Sequence, residues 1–179
     1  MKAAGTSRLF VALWPDDGTR AALAQCRDAW AWDADAVPER TERLHLTLHF
    51  LGAVPQRRWP ELIEGLRVSF SAFTLHLDRV QRWPNGIAVL TPQAVPQALL
   101  ALHAHLRVGL ERLDLVTECR RWRPHLTLAR HAGDSVAPAQ ASPVHWKVRG
   151  YALVESRSVT NDYVVLRHYG RPAAGFEVP

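Results

Sequence analysis

Histidine and threonine stand two residues apart in two identical tetrapeptides of this chain, His45-Leu46-Thr47-Leu48 and His125-Leu126-Thr127-Leu128. Given the chain's own content of these residues, a chance second copy has odds of roughly one in a hundred. In a β-strand, residues two apart share a face, so each copy presents an imidazole beside a hydroxyl while its leucines point into the core. Two such strands facing each other would surround one phosphate with two imidazoles and two hydroxyls. Breaking a phosphodiester needs a base for the attacking oxygen and an acid for the leaving one. Imidazole, with an unperturbed pKa of about 6.5, serves either role. The threonine hydroxyls would donate to the non-bridging oxygens, where negative charge is held during in-line displacement. Arg130 lies five residues after His125, so an ideal strand sends it to the opposite face. A bend at Ala129 is needed to bring it to the phosphate.

The elements that must position these residues follow from periodicity. Arg8–Trp14 reads as a buried strand, followed by a helix from Asp16 or Asp17 to about Trp32 and a polar loop over 33–43. Leu44–Leu51 is a strand closed by Gly52 and Pro55, and Gln56–Phe70 a second helix. Phe73–Val80 alternates as a strand, and Pro84-Asn85-Gly86 turns into a short strand at Ile87–Leu90. Pro96–Leu113 carries Leu99, Leu102, Leu106 and Leu110 on one helical face. Strands Pro124–Arg130, Val144–Val154 and Tyr163–Tyr169 complete the chain, with a loop over His131–Pro143. Helices interleaved early and strands dominating late indicate an α+β fold. The motif copies lie 80 residues apart, one in each half, as two related lobes require.

A chain of 179 residues with 47% hydrophobic content fits one well-buried core, here a single unit over 1–179, and excludes disorder. No apolar run is long enough to span a membrane, and the N-terminus lacks the apolar core of a secretory signal. Two cysteines, Cys26 and Cys119, in no paired pattern fit a reduced cytoplasmic protein. The net charge of +5 rests on arginine, with Lys2 and Lys147 the only lysines. That favours an anionic partner such as phosphate, although arginine-rich composition alone explains it equally well.

Other candidates carry less. His49 reads as a half-buried neighbour of the first motif, His103 and His105 as helix-surface residues, His76 as an exposed strand residue and His131 as a loop residue. There is no His-x-x-x-His, no cysteine pair and no carboxylate inside either motif, so no metal site and no cofactor are expected. Arg120, Arg121 and Arg123 would form a basic lip for an RNA backbone, and Tyr151, Tyr163 and Trp122 are base-stacking candidates for which core packing is the simpler role.

The paired motifs, together with the opening Arg8-Leu9-Phe10-Val11-Ala12-Leu13 and the contexts Leu44–Gly52 and Pro124–Arg130, resemble the two-histidine phosphoesterases, specifically the RNA 2′,3′-cyclic phosphodiesterases also described as 2′-5′ RNA ligases. The resemblance covers about residues 8–170. It implies two pseudo-symmetric lobes, each an antiparallel sheet with helices on its outer face, around a central cleft. It also implies that His45 is the proton donor and His125 the proton acceptor, that Thr47, Thr127 and Arg130 hold the phosphate, and that Phe10 lines the cleft near the nucleobase. The implied reaction opens an RNA terminal 2′,3′-cyclic phosphate to a 2′-phosphomonoester, without metal and with 2′-5′ ligation as the reverse, in a monomer. Two other readings remain open from the residues themselves: a 2′-5′ oligonucleotide or small cyclic nucleotide phosphodiesterase, and a nucleotide- or RNA-binding module without turnover. An acid and a base conserved in form across both copies count against the last.

Overall fold

The opening apolar run forms strand β1 (Thr6–Leu13), whose last five residues are all buried. A computed structural model describes residues 5–115, 121–140 and 142–170; Cys119 and Arg120 lie outside them. Helix α1 (Asp17–Asp28) starts where Asp16 Oδ1 accepts the Thr19 amide at 2.8 Å. It ends four residues before Trp32, and Leu23 and Cys26 face the core. The stretch expected as a polar loop holds a two-residue strand, β2 (Val37–Pro38), and a 3₁₀ turn at Thr41–Arg43. Strand β3 (Leu46–Pro55) then begins just after His45.

The second helix is short. After a 3₁₀ turn, α2 spans only Trp59–Gly65 and is followed by irregular chain. The single strand expected over 73–80 divides into two, β4 (Phe73–Leu77) and β5 (Arg79–Arg82). Strand β6 (Ala88–Thr91) precedes α3 (Gln97–Arg112), which buries Leu99, Leu102, Leu106 and Leu110 as expected. Strand β7 (Leu126–Arg130) carries the second motif. Val144–Val154 also divides, into β8 (Val144–Val148) and β9 (Gly150–Arg157), and β10 (Asp162–Gly170) closes the described chain.

Both divisions mark a crossing between sheets. Strands β4 and β8 pair with each other alone, whereas β5 and β9 belong to the large sheet, ordered β10-β9-β1-β3-β7-β6-β5. All pairings are antiparallel, and the fold is α+β as expected. The large sheet has two wings, β10-β9-β1-β3 and β7-β6-β5, joined where β3 meets β7 at the single pair Leu46↔Leu126. Beyond that pair the edge of β7 is taken by β2, with Val37↔Arg130 and Pro38↔Ala129. One apolar cluster runs beneath both wings, including Leu46, Leu48, Leu126 and Leu128.

Candidate active site

The Leu46↔Leu126 pair sets the symmetry of the site. Continuing its antiparallel register by one residue each way places His45 across from Thr127 and Thr47 across from His125. All four side chains then lie on one face, related by a twofold axis through the leucine pair, while the leucines themselves are fully buried.

Each imidazole is pinned in the same way. His45 Nδ1 lies 2.5 Å from the Arg43 carbonyl and His125 Nδ1 lies 2.8 Å from the Arg123 carbonyl, in both cases two residues back. A carbonyl only accepts, so both Nδ1 atoms carry a proton and donate it. In the neutral ring Nε2 is then the lone-pair nitrogen, free for proton exchange. His45 Nε2 stands 3.0 Å from Thr47 Oγ1, accepting from the hydroxyl when neutral and donating to it when protonated.

Both motif strands carry a bulge at the same place. Along β1, Ala12 pairs with Thr47 but Val11 pairs with His49, which leaves Leu48 as the extra residue. Along β6, Val89 pairs with Thr127 but Ala88 pairs with Ala129, which leaves Leu128 extra. The added residue resets the face on which later side chains emerge. Leu48 and His49 are consecutively buried, as are Leu128 and Ala129. Phe50 and Arg130 therefore emerge on the face of Thr47 and Thr127. The bend required at Ala129 is this bulge, and Phe50 is Arg130's counterpart in the first motif.

The two histidines differ in what surrounds them. His45 sits among Phe10, Trp14 and Tyr163, with ring centroids at 4.9, 5.8 and 5.3 Å. Burial, with added repulsion from Arg43, Arg20 and His125, pushes its pKa down to about 4. His125 packs against Trp83 at 4.5 Å, and burial together with Arg123 and Arg130 lowers it from the ordinary value. Both rings are thus neutral in the free site at neutral pH, and a bound anion is what favours a proton there.

The approach to His45 is held by arginines. Arg20 donates to the carbonyls of Thr41 and Leu44 at 3.0 and 3.3 Å, and Arg27 to the Glu39 carbonyl at 2.7 Å. Arg43 donates to Tyr163 Oη at 2.8 Å and lies over its ring at 4.3 Å. Part of the arginine excess is therefore structural. A groove of about 390 Å³ opens beside the site, lined by Arg8, Phe10, Phe50 and Tyr163. Phe10 is 3% exposed and forms the groove's floor, whereas Phe50 is 55% exposed and offers its face. Among the described residues no group of three or more His, Cys, Asp or Glu is placed to hold a metal.

The sequence matches the 2′-5′ RNA ligase superfamily over residues 15–170. The chain belongs to that superfamily. An RNA 2′,3′-cyclic phosphodiesterase of Thermus thermophilus is 32% identical over 165 residues, covering 83% of this chain and 81% of the relative. One of Escherichia coli K12 is 34% identical over 102 residues, covering 55% and 57%. The solved structure of E. coli LigT complexed with 3′-AMP superposes with a TM-score of 0.82 at 26% identity, over 92% of this chain and 98% of that one.

Within this superfamily member, the geometry brings together His45, Thr47, His125, Thr127 and Arg130, with Phe10 alongside. The sequence reading did not single out Trp14, Trp83, Phe50, Glu39 or Arg43, and it assigned Tyr163 most simply to the core. Phe50 alone had a signal, as the residue aligned with Arg130 when the motif copies are superposed. His49, turned inward by the bulge, donates from Nε2 to the His103 carbonyl at 2.9 Å. His103 is half-buried rather than freely exposed, stacked between His49 and Trp122, each at 4.1 Å. Trp122 donates to the Thr47 carbonyl at 3.3 Å, and Tyr151 to the Leu66 carbonyl at 2.7 Å, so both serve packing. His76 and His145 pair across β4 and β8 on an exposed face, with Nδ1 atoms 2.8 Å apart. No helix among the described residues is long and apolar enough to cross a membrane.

Proposed function

We propose that this protein hydrolyses the 2′,3′-cyclic phosphate at an RNA terminus to a 2′-phosphomonoester, acting as a cytoplasmic monomer over residues 1–179. The observation that carries the reading is the twofold-related pair of imidazoles, each pinned at Nδ1 and each with Nε2 available on one face. The names of the relatives and the LigT complex with 3′-AMP support the substrate class.

The phosphate lies over the Leu46–Leu126 axis between the two rings. His125 Nε2 takes a proton from water, whose oxygen forms a bond to phosphorus on the side opposite O3′. The P–O3′ bond breaks, and His45 gives its Nε2 proton to O3′. Thr47, Thr127 and Arg130 donate to the non-bridging oxygens as charge gathers on them. Phe50, with Phe10 beneath and Tyr163 beside it, offers the terminal base a stacking surface. His45 takes its proton from solvent as the substrate binds, because the substrate's negative charge opposes the depression that burial imposes. With an RNA 5′-hydroxyl in place of water, the same transfers form a 2′-5′ linkage.

The test is an oligonucleotide ending in 2′,3′-cyclic phosphate, incubated with and without EDTA, the product being assigned as the 2′- or 3′-phosphomonoester. The 2′ product is expected, undiminished by EDTA, with losses of about 10²–10⁴-fold in His45→Ala and in His125→Ala. Near wild-type turnover in either folded variant, or a divalent-ion requirement, would overturn the mechanism.

A further inference from the structure

Among the described residues, Glu39 is the one carboxylate in an ion pair with Arg130, the arginine assigned above to the phosphate. Its backbone is fixed from two sides: its amide donates to the Leu128 carbonyl at the bulge at 2.8 Å, and its own carbonyl accepts from Arg27. Its side chain is 14% exposed. One carboxylate oxygen lies 3.5 Å from Arg130 Nε and the other 3.5 Å from Arg43 Nε. Arg43 is anchored on Tyr163 and Asn161, and its carbonyl holds His45. Glu39 therefore ties the arginine of the second motif to the support of the first. At 3.5 Å the contact to Arg130 is longer than a close charge-assisted bond, and Arg130 is 54% exposed, so the guanidinium is free to turn toward a ligand.

The reaction changes the charge that this arginine meets. The cyclic diester carries one negative charge, while the monoester product approaches two above its second pKa of about 6. An unrestrained Arg130 would hold the dianionic product more tightly than the monoanionic substrate. We propose that Glu39 is a positioning residue that shares Arg130 with the phosphate and so favours release of the dianionic product over retention. This inference rests on Arg130 binding the phosphate, as in the function proposed above.

Glu39→Gln keeps the size of the side chain and removes its charge, leaving one accepting oxygen where the carboxylate has two. At pH 8, the inhibition constant for adenosine 2′-monophosphate is expected to tighten by about 3- to 10-fold, and KM for adenosine 2′,3′-cyclic phosphate by clearly less. Glu39→Ala, with folding checked by thermal denaturation, should shift the ratio the same way. In the Arg130→Ala background the Glu39 effect should vanish. Equal shifts of both constants, no shift, or weaker product binding would overturn the role of Glu39. If Arg130→Ala alone leaves both constants unchanged, the phosphate site itself has been misread; if it weakens both while Glu39→Gln does nothing, the site stands and only the Glu39 inference falls.

Discussion

His45 and His125 share their neighbours along the chain and differ in their neighbours in space. Three aromatic rings enclose the first, and one packs on the second. Burial holds His45 down at about 4 and His125 below its ordinary value near 6.5. In the mechanism proposed above, the productive free enzyme carries a proton on His45 and none on His125, and raising the pH through these values removes the first requirement. The profile of kcat/KM, which reports the free enzyme, should therefore peak on the acid side of about 6.5 and fall about tenfold per pH unit beyond it. The kcat profile should peak at higher pH, because bound phosphate raises both imidazoles. Initial rates at low and saturating substrate across about pH 4 to 9 test this; a kcat/KM that climbs from neutral into alkaline pH would contradict it. None of this asymmetry was legible in two identical tetrapeptides, since the rings that create it come from β1, β10 and the turn before β6.

At the scale of elements, the periodic residues predicted strand or helix where the structure has them, and their extents were less readable. Alternation runs through Phe73–Leu77 and Val144–Val148 and then breaks, with Val80 out of phase and Tyr151–Val154 buried in succession, but a lost period alone does not show that the chain passes to another sheet, as it does at Asp78 and at Arg149. The bulges at Leu48 and Leu128 were equally hidden, being defined by the partner strands β1 and β6. The need for a bend near Ala129 could still be read from the position of Arg130. Helix α2 fell short of its expected end at Phe70, and its last residue, Gly65, lies against α3. A Cβ on Gly109 of α3 would lie 2.8 Å from the Gly65 carbonyl, so the two helices meet backbone to backbone. Gly109→Ala should cost about 1–2 kcal/mol in denaturant unfolding, as overpacking outweighs the helix propensity it gains, while kcat/KM stays near wild type. An unchanged midpoint would mean that the helices are not packed so closely.

For the whole molecule, the α+β class and the presence of two related halves followed from the order of elements and the spacing of the motifs. The joining of the halves into one sheet did not, because the contact that does it is the single pair Leu46↔Leu126, too small to leave a mark on either strand's pattern. That pair has a further consequence. A half turn about it exchanges the two His–Thr pairs, and a similar half turn exchanges O2′ and O3′ of a cyclic phosphate. To the motifs alone, the two seatings of the ligand are degenerate, and each would expel a different oxygen. In the mechanism proposed above, the tie is broken by the unequal rings around His45 and His125 and, off the axis, by an aromatic ring at Phe50 on one side and a guanidinium at Arg130 on the other. Phe50→Arg puts a guanidinium at the same place in both motifs, and the expected outcome is a mixture of 2′- and 3′-phosphomonoesters resolved by chromatography of the products. A single isomer would place the symmetry breaking elsewhere. On this reading, regiochemistry in this chain is written beside the two tetrapeptides, where a change of one side chain would alter which bond breaks without touching the groups proposed to break it.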